Sequence, residues 1–290
     1  RPPRSTLFPY TTLFRSLAKK YNIPNIVIGL TIVAFGTSAP ELIVNIFASA
    51  SGNSDITLGN IIGSNLFNIM VILGISSLIY PLAVKTKTTW IEIPLCFLSA
   101  VIVLVLASDR LIDDAPFSSL TRIDGIVLLS FFLIFMVYNF QIMKSGQFEE
   151  EVPVKEYPLL KALLLITAGF VLLIIGGKVI VAFAVKFAQE IGISERVIAL
   201  TIVSAGTSMP ELATSAVAAY KKNVDIAIGN IVGSNIFNAF FILGISAVIN
   251  PVSQNDNSVM DMLVNIFASL LLFVFIDRKS TRLNSSHVSQ

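Results

Sequence analysis

The sequence predicts an all-α, polytopic transmembrane helical bundle with two inverted-topology repeats and broken helices at the membrane midplane. Three observations carry this prediction. The 290-residue chain is 54% hydrophobic and 13% charged, with a mean hydropathy of +0.81, against roughly 25% charged for a soluble domain. Apolar stretches of about 20 residues recur, the length that crosses a hydrocarbon core of about 30 Å. A 53-residue block also occurs twice without a gap, at 29–81 and 199–251, and 29 of its positions are identical. Of these identities, 16 fall on Gly, Thr, Ser, Pro, Glu and Asn, which a lipid-facing helix avoids. A polar interruption duplicated inside two apolar segments marks a transporter binding site.

Eight spans are expected: 24–50, 55–80, 88–108, 122–142, 158–186, 194–219, 225–250 and 257–276. Turn and charge signals separate them, for example SGNSD at 51–55 and DRLIDDAP at 109–116. The hydrophilic run KSGQFEEEVPVKE at 144–156 divides the chain into a first half, 17–143, a linker, 144–157, and a second half, 158–277. One copy of the block starts on the first span and the other on the sixth. An odd number of crossings separates the two starts, so the copies enter the membrane from opposite sides. Lys19, Lys20, Lys85, Lys87, Lys144, Lys155, Lys161, Lys221 and Lys222 fall in one set of connections, and Arg110, Arg122, Lys186 and Arg196 in the other. Nine against four places the first set, including the linker, in the cytoplasm of a multi-pass inner (cytoplasmic) membrane protein.

The repeat also predicts its own flanks. An apolar span at about 158–186 precedes the second copy, whereas residues 1–16 read RPPRSTLFPYTTLFRS, and DRKSTRLNSSHVSQ follows the last span. Residues 1–16 and 278–290 are therefore expected to be non-native peptide, and carry no functional argument. One cysteine, Cys96, excludes a disulfide framework. The single histidine, His287, lies in the polar tail, which removes imidazole chemistry from the spans. A net charge of +2 without a basic patch speaks against nucleic acid. No nucleophile–base pair suggests an enzyme, and no cofactor or obligatory protein partner is implied.

The chemistry sits in GTSAPE at 36–41 and GTSMPE at 206–211. Pro40 and Pro210 lack an N–H and clash with the preceding turn, while Gly36 and Gly206 tolerate irregular backbone. The helices should break there and free carbonyls of preceding residues, including Ala34, Thr37, Ser204 and Thr207. Free carbonyls at membrane depth are tolerated only where they face protein or a watery cavity. Glu41 and Glu211 follow. A carboxylate near the bilayer centre costs several kcal/mol unless compensated. The one intramembrane base, Lys178, sits on another span near a helix end and is expected to reach the interface. A cation is then the partner of both carboxylates.

The next spans supply GNIIGSNLFN at 59–68 and GNIVGSNIFN at 229–238. Ser64 and Asn68 share a helical face, as do Ser234 and Asn238. Carboxylates, amides, hydroxyls and carbonyls form an all-oxygen set with charge −2, suited to a hard cation such as Ca²⁺ and not to Zn²⁺ or Cu. Gly59, Gly63, Gly229, Gly233, Asn60 and Asn230 are explained at least as well by helix packing. Asp55 and Asp225 read as caps or solvated ends, and Glu149–Glu151 as a solvated linker.

These paired motifs, GTS-x-PE and GN-x-x-GSN-x-x-N, resemble the α-repeats of the calcium/cation antiporter superfamily, the sodium/calcium exchanger membrane region of prokaryotic type. The resemblance covers about residues 17–277. It implies a ten-helix fold, of which about eight helices are present here, and a central Ca²⁺ site shared with competing Na⁺ ions. It further implies alternating access by a helix pair sliding against the rest. By resemblance Glu41 and Glu211 are the central carboxylates, Asn68 and Asn238 their partners, and Thr37 and Thr207 donors to Ca²⁺. Ser38, Ser208, Ser64, Ser234, Ala34 and Ser204 match flanking Na⁺ sites. Some members carry Asp where this chain has Asn238, which leaves two formal negative charges, neutralised by one Ca²⁺. The expected function is Na⁺/Ca²⁺ antiport, with a Ca²⁺/H⁺ antiporter on the same scaffold as the alternative. The partners are the two ions and the bilayer.

Overall fold

A computed structural model describes residues 24–82, 90–144, 195–254 and 256–288, with scattered positions between 164 and 192. The helices are α1 (Asn25–Thr37), α2 (Ala39–Ala50), α3 (Ser54–Ile79), α4 (Glu92–Leu106), α5 (Arg122–Lys144), α6 (195–207), α7 (Met209–Tyr220), α8 (Val224–Ile249) and α9 (Asp256–Val288). The expected spans correspond to these within a few residues. The exceptions are 158–186, which lies largely outside the described residues, and the end of the last span. The apolar part of α9 closes at Phe275 as expected, but its backbone stays helical to Val288. A formed helix adds further residues at little cost when they include good helix formers such as Arg, Lys and Leu. Residues 1–16 lie outside the described residues.

Central helices α3 and α8 begin alike. Asn53 and Asn223 occupy the N-caps, and their side-chain oxygens accept from the N–H groups of Ile56 at 3.0 Å and Ile226 at 3.2 Å, which satisfies one orphan donor in each first turn. Both helices are interrupted halfway by a turn of π-helix, Asn68–Ile72 in α3 and Phe237–Ile242 in α8. Matching π turns follow the first α-helical turn of α1 and α6, at Gly29–Val33 and Ala199–Val203. Such turns concentrate at functional sites because they re-phase the side chains that follow.

The two copies run in opposite directions. The start of α3 meets the end of α8, where Ser253 N–H donates to Ser54 Oγ at 3.0 Å. At the other end the Lys222 ammonium, just before α8, lies 5.8 Å from the ring centroid of Tyr80, just after α3. Strand β1 (Ser119–Leu120) pairs antiparallel with β2 (Val252–Ser253), gathering the 51–54, 109–121 and 250–254 connections at one end. An inverted repeat produces this arrangement.

Packing also crosses between the copies. Helix α1 lies on α8, and α6 lies on α3. Glycines set the approach: a Cβ on Gly63 would fall 2.3 Å from the Leu200 carbonyl oxygen, and one on Gly233 2.6 Å from that of Leu30. Membrane helices associate through such small-residue contacts because lipid supplies no hydrophobic drive between them. The core between α3 and α8 is filled by Leu30, Leu58, Ile62, Ile72, Ile228, Ile231, Ile236 and Phe240. Apolar side chains such as Leu78, Ile123 and Phe267 point outward, as a lipid-facing surface requires.

One face departs from the two-fold pattern. Helix α5 rests on α8 through Gly125 and Gly244, whose backbones nearly touch. At Gly74, the repeat counterpart of Gly244, a Cβ would meet nothing within 4 Å among the described residues. An apolar groove of about 400 Å³ runs beside it, lined by Ile69, Met70, Leu73, Leu272 and Phe275 among others.

Gly63→Ala and Gly233→Ala are expected to lower stability by about 1–3 kcal/mol through overpacking, read as a fall in Tm in detergent. Gly74→Ala should leave Tm unchanged or raised, since its site is open and Ala favours the helix. Equal behaviour of the three variants would contradict this packing.

Candidate cation site

The helix break in each repeat is built by the same few residues. Pro40 and Pro210 have no N–H to return to the carbonyls of Gly36 and Gly206. Ser38 and Ser208 sit at the break with φ −82°, ψ 7° and φ −83°, ψ 8°, and α1 bends by 48° into α2. Helices α2 and α7 restart with proline in the first turn, where it fits. Glu41 and Glu211 fall in that same turn, facing the positive end of the helix dipole.

The two breaks meet. Ser38 donates to Glu211 Oε1 and Ser208 donates to Glu41 Oε1, both at 2.9 Å. Ser64 and Ser234 add longer contacts, 3.5 and 3.4 Å, to the same oxygens of Glu41 and Glu211. Both carboxylates have 0% exposure. No Lys or Arg is buried among the described residues; Lys178 lies outside them.

The amides complete the pattern. Asn68 Nδ2 donates to Asn235 Oδ1 at 2.9 Å, and Asn238 Nδ2 donates to Asn65 Oδ1 at 3.0 Å. What remains is a symmetric set of buried acceptors with no hydrogen-bond partner among the described residues: Oε2 of Glu41 and Glu211, and Oδ1 of Asn68 and Asn238. Each such orphan costs about 1–3 kcal/mol, more when charged, so four in related pairs require a common cause. A hard cation would be one such cause, since it takes oxygen ligands. No three His, Cys, Asp or Glu side chains gather among the described residues, so the donor set is two carboxylates and neutral oxygens.

All twelve residues expected at the site are buried: Glu41, Glu211, Asn68, Asn238, Thr37, Thr207, Ser38, Ser208, Ser64, Ser234, Ala34 and Ser204. The structure corrects one detail. The carbonyls of Ala34 and Ser204 are engaged rather than freed. They accept from the N–H of Ser38 at 2.9 Å and of Ser208 at 3.0 Å, and from the hydroxyls of Thr37 at 3.3 Å and Thr207 at 3.2 Å. The break falls after Thr37 and Thr207, so the helical bond that ends at Ser38 or Ser208 survives. The Ser204 hydroxyl is also occupied, donating at 3.2 Å to the carbonyls of Gly59 and Asn60.

Asn60 and Asn230 act as fasteners. Thr207 donates to Asn60 Oδ1 at 3.2 Å, and Thr37 to Asn230 Oδ1 at 3.0 Å. Their Nδ2 atoms donate to Asn45 Oδ1 at 2.7 Å and Ser215 Oγ at 2.9 Å. Asn45 and Ser215 in turn donate to the carbonyls of Thr57 and Ala227. Both ends of each amide are thus held by protein. Three residues not assigned to the site from sequence also stand here: Asn65, Asn235 and Cys96, whose buried thiol lies beside the Asn235 side chain. The first two were visible as identical positions in both copies. Cys96, on α4, left no such signal. Phe35, Phe132, Phe237 and Phe241 wall one flank with centroid distances of 4.8–6.4 Å.

Comparison with known proteins agrees with this geometry. The family model described as "Sodium/calcium exchanger protein" matches residues 10–141 and 161–287. Inner membrane protein YrbG of Escherichia coli (strain K12) is 34% identical over 88% of this chain and 80% of its own length. Sodium/calcium exchanger MaX1 of Methanosarcina acetivorans is 31% identical over 90% of this chain and 84% of its own. A solved structure of the sodium-calcium exchanger NCX_Mj, soaked with 10 mM Na⁺ and zero Ca²⁺, superposes with a TM-score of 0.75 at 30% identity, covering 93% of this chain and 86% of that one. Both halves of the sequence, the inverted repeat and the meeting of its two breaks lead to one assignment: the chain belongs to the sodium/calcium exchanger family.

Proposed function

We propose that this protein is a secondary active antiporter that exchanges Na⁺ for Ca²⁺ across the cytoplasmic membrane by alternating access. The observation that carries the reading is the set of four buried oxygens without a donor, on Glu41, Glu211, Asn68 and Asn238. Ca²⁺ takes about 6–8 oxygen ligands. These four, with oxygens from Thr37 and Thr207, approach that number. Two carboxylates against one Ca²⁺ give a neutral site, and a neutral site crosses the membrane midplane at least electrostatic cost.

Na⁺ competes for the same carboxylates. Ser38, Ser208, Ser64 and Ser234 surround the Oε1 atoms with hydroxyls, and a hydroxyl that gives its proton to a carboxylate keeps lone pairs for a monovalent ion. The carbonyls of Ala34 and Ser204 border the same sites. Three Na⁺ would leave the site net positive, so exchange at that ratio moves charge. The halves that carry the ligands belong to opposite repeats, so a shift of α1 and α6 against α3 and α8 redistributes access between the two sides. The Lys and Arg bias of the connections places the 144–157 linker in the cytoplasm. Coupling to protons through the same two carboxylates is the rival, and the ion driving uptake separates the two.

Glu41→Gln and Glu211→Gln are each expected to reduce ⁴⁵Ca²⁺ uptake into proteoliposomes, driven by an outward Na⁺ gradient, at least about a hundredfold. One member of a buried charge set is worth about 3–5 kcal/mol. Uptake by the unsubstituted protein should require internal Na⁺; uptake that ignores Na⁺ and follows a pH gradient would replace this reading with Ca²⁺/H⁺ exchange. Ser38→Ala and Ser208→Ala should retain the fold and raise the Na⁺ concentration for half-maximal exchange about tenfold, the worth of one hydrogen bond to a charged group. Unchanged Na⁺ dependence in both would remove these serines from the Na⁺ sites.

A further inference from the structure

Each ligand amide is oriented by an asparagine of the opposite repeat. Asn68 on α3 gives its Nδ2 protons to Asn235 on α8, and Asn238 on α8 gives its own to Asn65 on α3. Those two asparagines are locked to each other: Asn235 Nδ2 donates to the Asn65 carbonyl at 3.3 Å, and Asn65 Nδ2 to the Asn235 carbonyl at 3.5 Å. All four side chains are at most 3% exposed. We infer that Asn65 and Asn235 are positioning residues that fix which end of the Asn238 and Asn68 amides faces the transported cation.

The argument is one of donors and acceptors. An amide carries an oxygen and an NH₂ at nearly the same positions. Turned the other way, Asn68 would set its oxygen against the Asn235 oxygen and present NH₂ to the cation. The acceptors on Asn235 and Asn65 forbid this and leave Oδ1 of Asn68 and Asn238 without a protein partner. The same acceptors favour an amide over a carboxylate at position 238. An Asp there would face the Asn65 oxygen, and Asn65 could turn to donate only by giving up its contact with the Asn235 carbonyl. The pair therefore also holds the site at two formal charges. Asn65 and Asn235 need not touch the ion, since both ends of each are used within the pair and toward the ligand amides.

This inference rests on the reading of the site as a Ca²⁺ site, and a double-mutant cycle tests it separately. Ca²⁺ affinity is measured by calorimetry on the purified full chain in Na⁺-free buffer, with Glu41→Gln as the control. Absence of Ca²⁺ binding by the unsubstituted chain would overturn the exchange reading itself. Given binding, Asn235→Leu keeps the volume but not the acceptor, and is expected to weaken Ca²⁺ about tenfold, the loss of one well-formed ligand orientation. In an Asn68→Ala background the same change should cost less than twofold, because nothing is left to orient. A packing role would instead add its full factor in both backgrounds and would appear as a drop in Tm without Ca²⁺. Asn65→Leu with Asn238→Ala repeats the cycle on the other repeat. Asn235→Asp and Asn65→Asp keep the acceptor toward the ligand amide but lose the donor to the opposite repeat's carbonyl and add a carboxylate, so they should weaken Ca²⁺ by clearly less than the tenfold of the Leu variants. Unaltered affinity in the Leu variants, additive losses, or tenfold weakening in the Asp variants overturns the proposal, and the Asp pair decides it should the Leu variants not fold.

Discussion

Ser38 gives its proton to Glu211, and Ser208 gives its proton to Glu41. These two hydrogen bonds cross the pseudo-two-fold axis, and much of the molecule serves to hold them. Two carboxylates with no exposed surface cannot be tolerated in a bilayer without compensation. The protein supplies part of it through hydroxyls and helix N-termini, and one oxygen on each carboxylate is left without a donor among the described residues, which the proposed function assigns to a cation. The glycine contacts of α1 with α8 and of α6 with α3 bring the breaks close enough for these two hydrogen bonds to form.

The site is divided between repeats rather than duplicated within them. Each carboxylate lies on one copy and takes its shortest hydrogen bond from the other. Each threonine hydroxyl reaches the asparagine of the opposite copy, and each ligand amide is held by an asparagine across the axis. In the proposed exchange, an arrangement of this kind would couple occupancy to the relative position of the halves. Moving α1 and α6 against α3 and α8 must strain these cross-repeat bonds together, so an ion that closes the set stabilises one arrangement of the helices. A ligand shifts such an equilibrium only by its differential affinity for the two states, and bonds shared between moving parts provide it.

Much of this was legible in the sequence. The apolar spans, the duplicated block and the polar breaks gave the topology, and Glu41 and Glu211 announced themselves as carboxylates in apolar surroundings. The antiparallel course of α3 and α8 agrees with the odd number of crossings expected between the copies. What the sequence did not give is partnership across the axis. Spacing along one helix places Ser64 and Asn68 on a common face, but does not say what the other repeat sets opposite. Asn65 and Asn235 are therefore not assigned to the site from sequence although both copies carry them, and Ala34 and Ser204 were expected to have free carbonyls because the position of the break could not be fixed to one residue. Asn60 and Asn230 had two readings until their amides were seen bonded at both ends. Cys96 lies on a helix outside the repeated block and is placed beside Asn235 only by folding.

The most direct test of the account is to locate the ion. A crystal of the protein grown with Ca²⁺ and without Na⁺ would give an anomalous difference map. The account predicts one strong peak between Glu41 and Glu211, contacting their Oε2 atoms and Oδ1 of Asn68 and Asn238. A peak elsewhere, or one at this position with the Nδ2 atoms of Asn68 and Asn238 turned toward it, would contradict it.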